Sequence, residues 1–151
     1  SENSSFASVR CLAFGGLVMT DFNRNILVVE DEALIRFAIC DYLEDAGFDV
    51  YQAGDVLTAV GLIGKHEQFM AVISDIDLPG ALNGIDLVNL IAQTSPKTKI
   101  IITSARDPEH CMGIPEGAVY LQKPYSDQAI FDVLQTHRQM LETTGAIRYR
   151  A

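Results

Sequence analysis

Three acids, two hydroxyls and one amine stand directly after short β-branched runs. Glu30 and Asp31 follow Ile26-Leu27-Val28-Val29, and Asp75 follows Met70-Ala71-Val72-Ile73-Ser74. Thr103 and Ser104 follow Ile100-Ile101-Ile102, and Lys123 with Pro124 follows Ala118-Val119-Tyr120-Leu121. Two carboxylates about 4 Å apart repel by roughly 4 kcal/mol at an effective dielectric near 20, so acids that converge need a cation between them. One lysine does not suffice for three. A hard divalent ion that takes oxygen ligands does, and the absence of His or Cys from the set favours Mg²⁺ over zinc. A magnesium ion among acids, beside a lysine and a threonine, suits a phosphoryl group: metal and ammonium neutralise its oxygens while the hydroxyl donates to one of them. The group's acceptor would be a carboxylate, since the set offers no other nucleophile.

The segments between the runs explain how residues so far apart in sequence meet. Ile35, Ile39, Tyr42, Leu43 and Ala46 mark one face of a helix, with Gly47 placed to end it. Phe48–Tyr51 predicts a short second strand. Val56, Ala59, Val60 and Ile63 trace a second helix, Leu87, Leu90 and Ile91 a third, and Ile130, Val133, Leu134, His137 and Leu141 a last one capped by Ser126. Strands alternating with helices predict a parallel sheet with crossover helices. Right-handed crossovers put every strand's carboxyl end on one edge, where open α/β sheets bind ligands. All six polar residues fall on that edge.

Composition narrows the function further. The chain has 151 residues, 48% of them hydrophobic, with net charge −9 and a pI of 4.6. The size supports one full core. The charge has the wrong sign for direct contact with nucleic acid or an anionic membrane surface. Cys11, Cys40 and Cys111 are odd in number and share no ligand spacing, which favours a reducing, cytoplasmic setting over a disulfide framework. No apolar run reaches the length of a spanning helix. Residues 1–22 read as an N-terminal extension outside the domain, with Met19 as a candidate natural start. Residues 23–142 read as the domain and 143–151 as a tail.

The runs ILVVEDE (26–32), AVISDIDLPG (71–80), IIITSA (100–105) and YLQKPYS (120–126) resemble the response-regulator receiver family of two-component signalling, in order and at suitable spacing from Asn25 to about Leu141. The resemblance implies an α/β, flavodoxin-like, doubly wound sheet of five parallel strands in the order 2-1-3-4-5. It implies Mg²⁺-dependent phosphorylation of Asp75 by a histidine kinase, in a phosphorelay and not in an enzyme's turnover. Asp31 and Asp75 match the metal-binding carboxylates, the backbone carbonyl of Asp77 the third protein ligand, and Glu30 the acid that reaches the metal through water. Lys123 matches the phosphate-pairing lysine, Thr103 the switch hydroxyl and Tyr120 the aromatic that moves with it. No other cofactor is implied. With no output domain after Leu141 in this sequence, the expected partner beyond the kinase is a protein or a further phosphocarrier, and there is room for a weak homodimer.

Departures from the pattern are also legible. The loop from Asp75 to Gly84 is one residue longer than in chemotaxis-type members, and Asp77 places a carboxylate where phosphoryl lifetime is tuned. Between Thr103 and Ala118 two prolines and two glycines leave room for barely two turns of the fourth helix. The alternative reading takes Asp75-Ile76-Asp77 as the D-x-D of a haloacid-dehalogenase-like phosphohydrolase with Asp75 as nucleophile. That motif belongs after a first strand, and here it follows the third.

Overall fold

The computed structural model describes residues 11–14, 17–20, 23–66, 68–80, 82–143 and 149–150. Two sheets are present among the described residues. Strands β1 (Cys11–Phe14), β2 (Leu17–Thr20) and β8 (Tyr149–Arg150) form an antiparallel sheet of order β1-β2-β8. The sequence reading placed no regular element there. Its register sets Phe14 opposite Leu17, and in the sequence the apolar run CLAFGGLVM gave no alternation by which to tell two strands apart. The remainder of the expected extension and tail, residues 1–10, 15–16, 21–22, 144–148 and 151, lies outside the described residues.

The second sheet has five parallel strands: β3 (Asn25–Val29), β4 (Asp49–Ala53), β5 (Ala71–Asp75), β6 (Lys99–Ser104) and β7 (Val119–Gln122). Their order, β4-β3-β5-β6-β7, is the expected 2-1-3-4-5. Helices α1 (Ala33–Asp45), α2 (Val56–Lys65), α3 (Gly84–Thr94) and α4 (Asp127–Thr143) connect or close it. Strand alternation divides the core between the two faces of the sheet. Leu27, Val29, Val72, Ile100 and Ile102 pack with Val56 and Ala59 of α2 and Leu87, Val88 and Ile91 of α3. Ile26, Val28, Ile73 and Ile101 point the other way, onto Ile39, Cys40 and Leu43 of α1 and Ile130 and Leu134 of α4. Each such side chain gains about 1.5–3 kcal/mol over an exposed one, so this double layer fixes the strand ends rigidly.

Local signals set the element boundaries. Gly47 ends α1 at φ +98°, and the Phe48 N–H reaches the Leu43 carbonyl at 3.1 Å, the left-handed termination that glycine makes at little cost. Asp55 accepts from the Thr58 N–H at 2.7 Å to start α2. Asn83 and Asp86 exchange backbone–side-chain bonds in a capping box at the head of α3. Ser126 Oγ accepts from the Ala129 N–H at 3.1 Å, as expected for the cap of α4. Between β6 and β7 the expected short helix shrinks to one 3₁₀ turn, Pro108–His110. Proline leads that turn, and Gly113 and Gly117 take positive φ, so no helix can propagate.

Candidate functional site

Register brings the chemistry together. Adjacent parallel strands lie about 4.8 Å apart, so residues that are partners in the ladder share one position along the sheet edge. Val29 pairs with Ser74, which puts Glu30 level with Asp75. Asp75 pairs with Thr103, and Ser104 pairs with Gln122, just before Lys123. Asp75 is the last residue of the central strand.

The carboxylates of Glu30, Asp31 and Asp75 offer oxygens that all lie within 4.8 Å of one another. Lys123 bridges two of them, donating from Nζ to Asp75 Oδ2 at 2.9 Å and to Glu30 Oε1 at 3.0 Å. Glu30 and Asp75 are nearly inaccessible, their side chains 3% and 6% exposed, while Asp31 is open to solvent. Burial pushes the Glu30 carboxyl above the ordinary carboxylate range, against the pull of the Glu32 N–H and of Lys123. Burial also opposes the charge on Lys123, but the hydrogen bonds it donates to Asp75 and Glu30 outweigh it and hold the ammonium above the ordinary lysine range. Lys123 therefore stays charged throughout the neutral range. It is one cation against three acids, and the donor set is oxygen only, which suits a hard divalent ion with retained waters.

Asp77 lies beside this cluster, not in it. Its N–H donates to Asp75 Oδ1 at 2.8 Å, which steadies that carboxylate. Its own carboxylate turns away, accepting from Ser104 Oγ at 2.9 Å and from the Arg106 guanidinium at 2.7 Å. A hydrolase D-x-D needs the second carboxylate inside the crevice, and here that group is engaged at the rim. The two hydroxyls also separate: Ser104 serves Asp77, whereas Thr103, 2% exposed, stays in register with Asp75. The Tyr120 hydroxyl donates to the Arg106 carbonyl at 2.5 Å and lies 3.3 Å from Cys111 Sγ.

Two contributors were not visible in the sequence. Arg36 on α1 donates to the Glu30 carbonyl at 2.6 Å and to Gln52 Oε1 at 3.2 Å, tying the acidic loop to β4. Arg106 closes over Asp77. Arg36 is one polar residue on a helix and Arg106 stands in an irregular segment, and in neither place does the local pattern point to a side chain's distant target, so neither contact had a local signal.

The sequence model described as "Response regulator receiver domain" matches residues 26–135. The chain belongs to that family. It is 32% identical over 140 residues to the alkaline phosphatase synthesis transcriptional regulatory protein SphR of Synechococcus elongatus, covering 82% of this chain and 54% of the relative. To the chemotaxis protein CheY of Thermotoga maritima it is 28% identical over 116 residues, covering 74% of this chain and 94% of the relative. The chain thus spans about half the length of SphR and nearly all of CheY. Among solved structures, a response regulator receiver domain protein from Clostridium thermocellum superposes with a TM-score of 0.71 at 26% identity, covering 80% of this chain and 98% of that one. The fold is the flavodoxin-like receiver fold, and the chain is a signalling module of the two-component system. Among the described residues no helix is long and apolar enough to cross a membrane.

Proposed function

We propose that the chain is a phosphoacceptor that receives a phosphoryl group on Asp75 from a histidine kinase and passes the change on through protein contacts. The observation that carries this reading is the hold on Asp75. It is buried at the end of the central strand, with the Asp77 N–H on Oδ1 and Lys123 on Oδ2, among two further acids. The bond from phosphorus to the donor's nitrogen breaks as a bond to an Asp75 carboxylate oxygen forms. Lys123 then neutralises a phosphoryl oxygen, and Thr103, level with Asp75, supplies a hydroxyl to another. Asp31, Asp75, the Asp77 carbonyl and, through water, Glu30 would hold Mg²⁺, which supplies charge neutralisation and orientation to the transfer. A groove of ≈ 560 Å³, lined by Leu34, Ile35, Ala38, Pro124 and Tyr125, opens beside Lys123. Leu34 at its edge is 84% exposed, an apolar seat where the donor protein can bring its phosphohistidine to Asp75.

Incubation with Mg²⁺ and a small phosphodonor should raise the intact mass by one phosphoryl group, with no rise in the Asp75→Asn variant. Equal labelling of that variant would remove Asp75 from the mechanism, and sustained turnover of a generic phosphate ester would favour a hydrolase. Mg²⁺ should also raise the melting temperature. At a tenfold excess over Kd, mass action stabilises by about 1.4 kcal/mol, or roughly 3–5 °C for a chain of this size. Asp31→Ala should abolish most of that rise. A melting curve indifferent to Mg²⁺ in the unmodified protein would count against the metal site.

A further inference from the structure

The segment between β6 and β7 is joined to the acceptor by a path that bypasses Thr103. Asp75 Oδ1 accepts from the Asp77 N–H at 2.8 Å, and the Asp77 carboxylate accepts from Arg106 Nη2 at 2.7 Å. Buried Ser104 braces this pair, donating from Oγ to Asp77 at 2.9 Å and accepting the Arg106 N–H at 3.0 Å. At the other end of Arg106 its carbonyl takes the Tyr120 hydroxyl at 2.5 Å, and that hydroxyl touches Cys111. A single residue is thus gripped at its side chain by the loop after the acceptor and at its backbone by the aromatic of β7.

The electrical state of Asp75 must reach this pair. A phosphoryl group carries about −1.5 to −2 units of charge in place of the carboxylate's single one, and spreads it over three oxygens, one residue's hydrogen bond away from the Asp77 carboxylate. Repulsion of Asp77 and attraction of Arg106 both change the geometry of an ion pair that is half open to water and weak by itself. The segment it holds has no helix to resist the change. Its regular structure is one 3₁₀ turn, and its anchors are isolated, such as the bonds from Gln122 to Asp107 at 3.0 Å and from Asn89 to the Gly113 carbonyl at 2.7 Å.

We propose that Arg106 is a positioning residue that carries the state of Asp75, through Asp77, to residues 107–118 and Tyr120. The proposal rests on the reading of Asp75 as phosphoacceptor, and its test separates the two. Hydrogen exchange is measured on the full chain in Mg²⁺, with and without beryllofluoride as the phosphoryl stand-in. In the unmodified protein, protection should change both around residues 76–80 and across 107–118, the latter by at least about fivefold, the lower end of an ordinary coupling between two sites. In Arg106→Ala the change around 76–80 should persist while that across 107–118 disappears. Arg106→Lys should restore part of it. Asp77→Asn should lose the same response, and the double variant should be no worse than either single one, because both act on one link.

A merely structural Arg106 would speed exchange across 107–118 in both states and leave their ratio intact, and that result overturns the proposal. So does an Arg106→Ala segment that responds as the unmodified one does, or an unmodified segment that ignores beryllofluoride while 76–80 responds. No response at either place would overturn the phosphoacceptor reading itself.

Discussion

Replacing Lys123 by alanine is expected to lower the stability of the metal-free protein by about 2–3 kcal/mol at neutral pH, somewhat below the usual 3–5 for an orphaned buried charge because the ammonium is partly exposed. Lys123 is the cation shared by Glu30 and Asp75, at 3.0 and 2.9 Å. Without it two nearly inaccessible carboxylates face each other. The pH dependence has a definite sign. Burial raises the Glu30 pKa in the folded chain above its unfolded value. Protonation therefore favours the folded state: this contribution is fully present below the unfolded pKa and is lost as pH rises through the folded one. The raised pKa of Lys123 works the same way, but its window lies above that of an ordinary lysine, so in the intact protein it contributes across the whole neutral range. In Lys123→Ala the Glu30 effect should grow, because the pair must hold a proton between them as pH falls. Urea titrations at pH 7 and pH 5 in the presence of a chelator measure it. The deficit should shrink at pH 5, and at pH 7 Mg²⁺ should restore part of it. A deficit equal at both pH values and indifferent to Mg²⁺ would mean that Lys123 contributes by packing and not by charge.

Gly84→Ala should be as damaging for a steric reason. A Cβ on Gly84 would sit 2.5 Å from the Asp75 carbonyl oxygen and 2.5 Å from Ile76 Cα, backbone atoms that cannot turn aside. The first residue of α3 lies directly on the chain that leaves Asp75, and only a hydrogen fits between them. Overpacking of this kind costs about 1–3 kcal/mol, and the upper end applies where the neighbours are backbone. Relief by shifting α3 would displace Asp75 and Ile76, so labelling of Asp75 should slow as well. Gly61 is the control. A Cβ there meets nothing within 4 Å, and Gly61→Ala inside α2 should stabilise by about 0.5–1 kcal/mol through helix propensity. Denaturant midpoints of the two variants should move in opposite directions. A neutral Gly84→Ala would show that α3 is not pressed on the end of β5.

What the sequence made legible follows from which interactions are local. The central strands β3, β5 and β6 were readable because parallel strands buried on both faces are runs rich in Ile, Val and Leu, the half-buried edge strands β4 and β7 because each keeps Val and Tyr in a short run, and the acids, hydroxyls and lysine because they sit at the ends of these runs. Strand limits moved by one or two residues: β5 includes Asp75 and starts after Met70, and β6 takes in Lys99 and Thr103-Ser104. Those limits are set by ladder partners on other strands, which no local window contains. The shortening of the fourth helix was legible from Pro108, Pro115 and the glycines at 113 and 117, because backbone chemistry limits a helix there whatever the context, but its reduction to the single 3₁₀ turn Pro108–His110 was not. The contacts of Arg36 and Arg106 were not legible, since each reaches a target set by tertiary placement alone. The direction of the Asp77 carboxylate belongs to the same class: its spacing from Asp75 was visible, its engagement by Ser104 and Arg106 was not.

The central claim, that Asp75 carries the phosphoryl group, is tested most directly by trapping the product. An acyl phosphate is reduced by borohydride to an alcohol, whereas a carboxylate is not, so treatment of the phosphorylated protein marks the acceptor as homoserine in a peptide digest. The account predicts homoserine at position 75 in the sample treated with phosphodonor and Mg²⁺, and at no position when either is withheld. Homoserine at position 31 or 77, or an unreduced Asp75 in protein whose intact mass shows the added phosphoryl group, would contradict it.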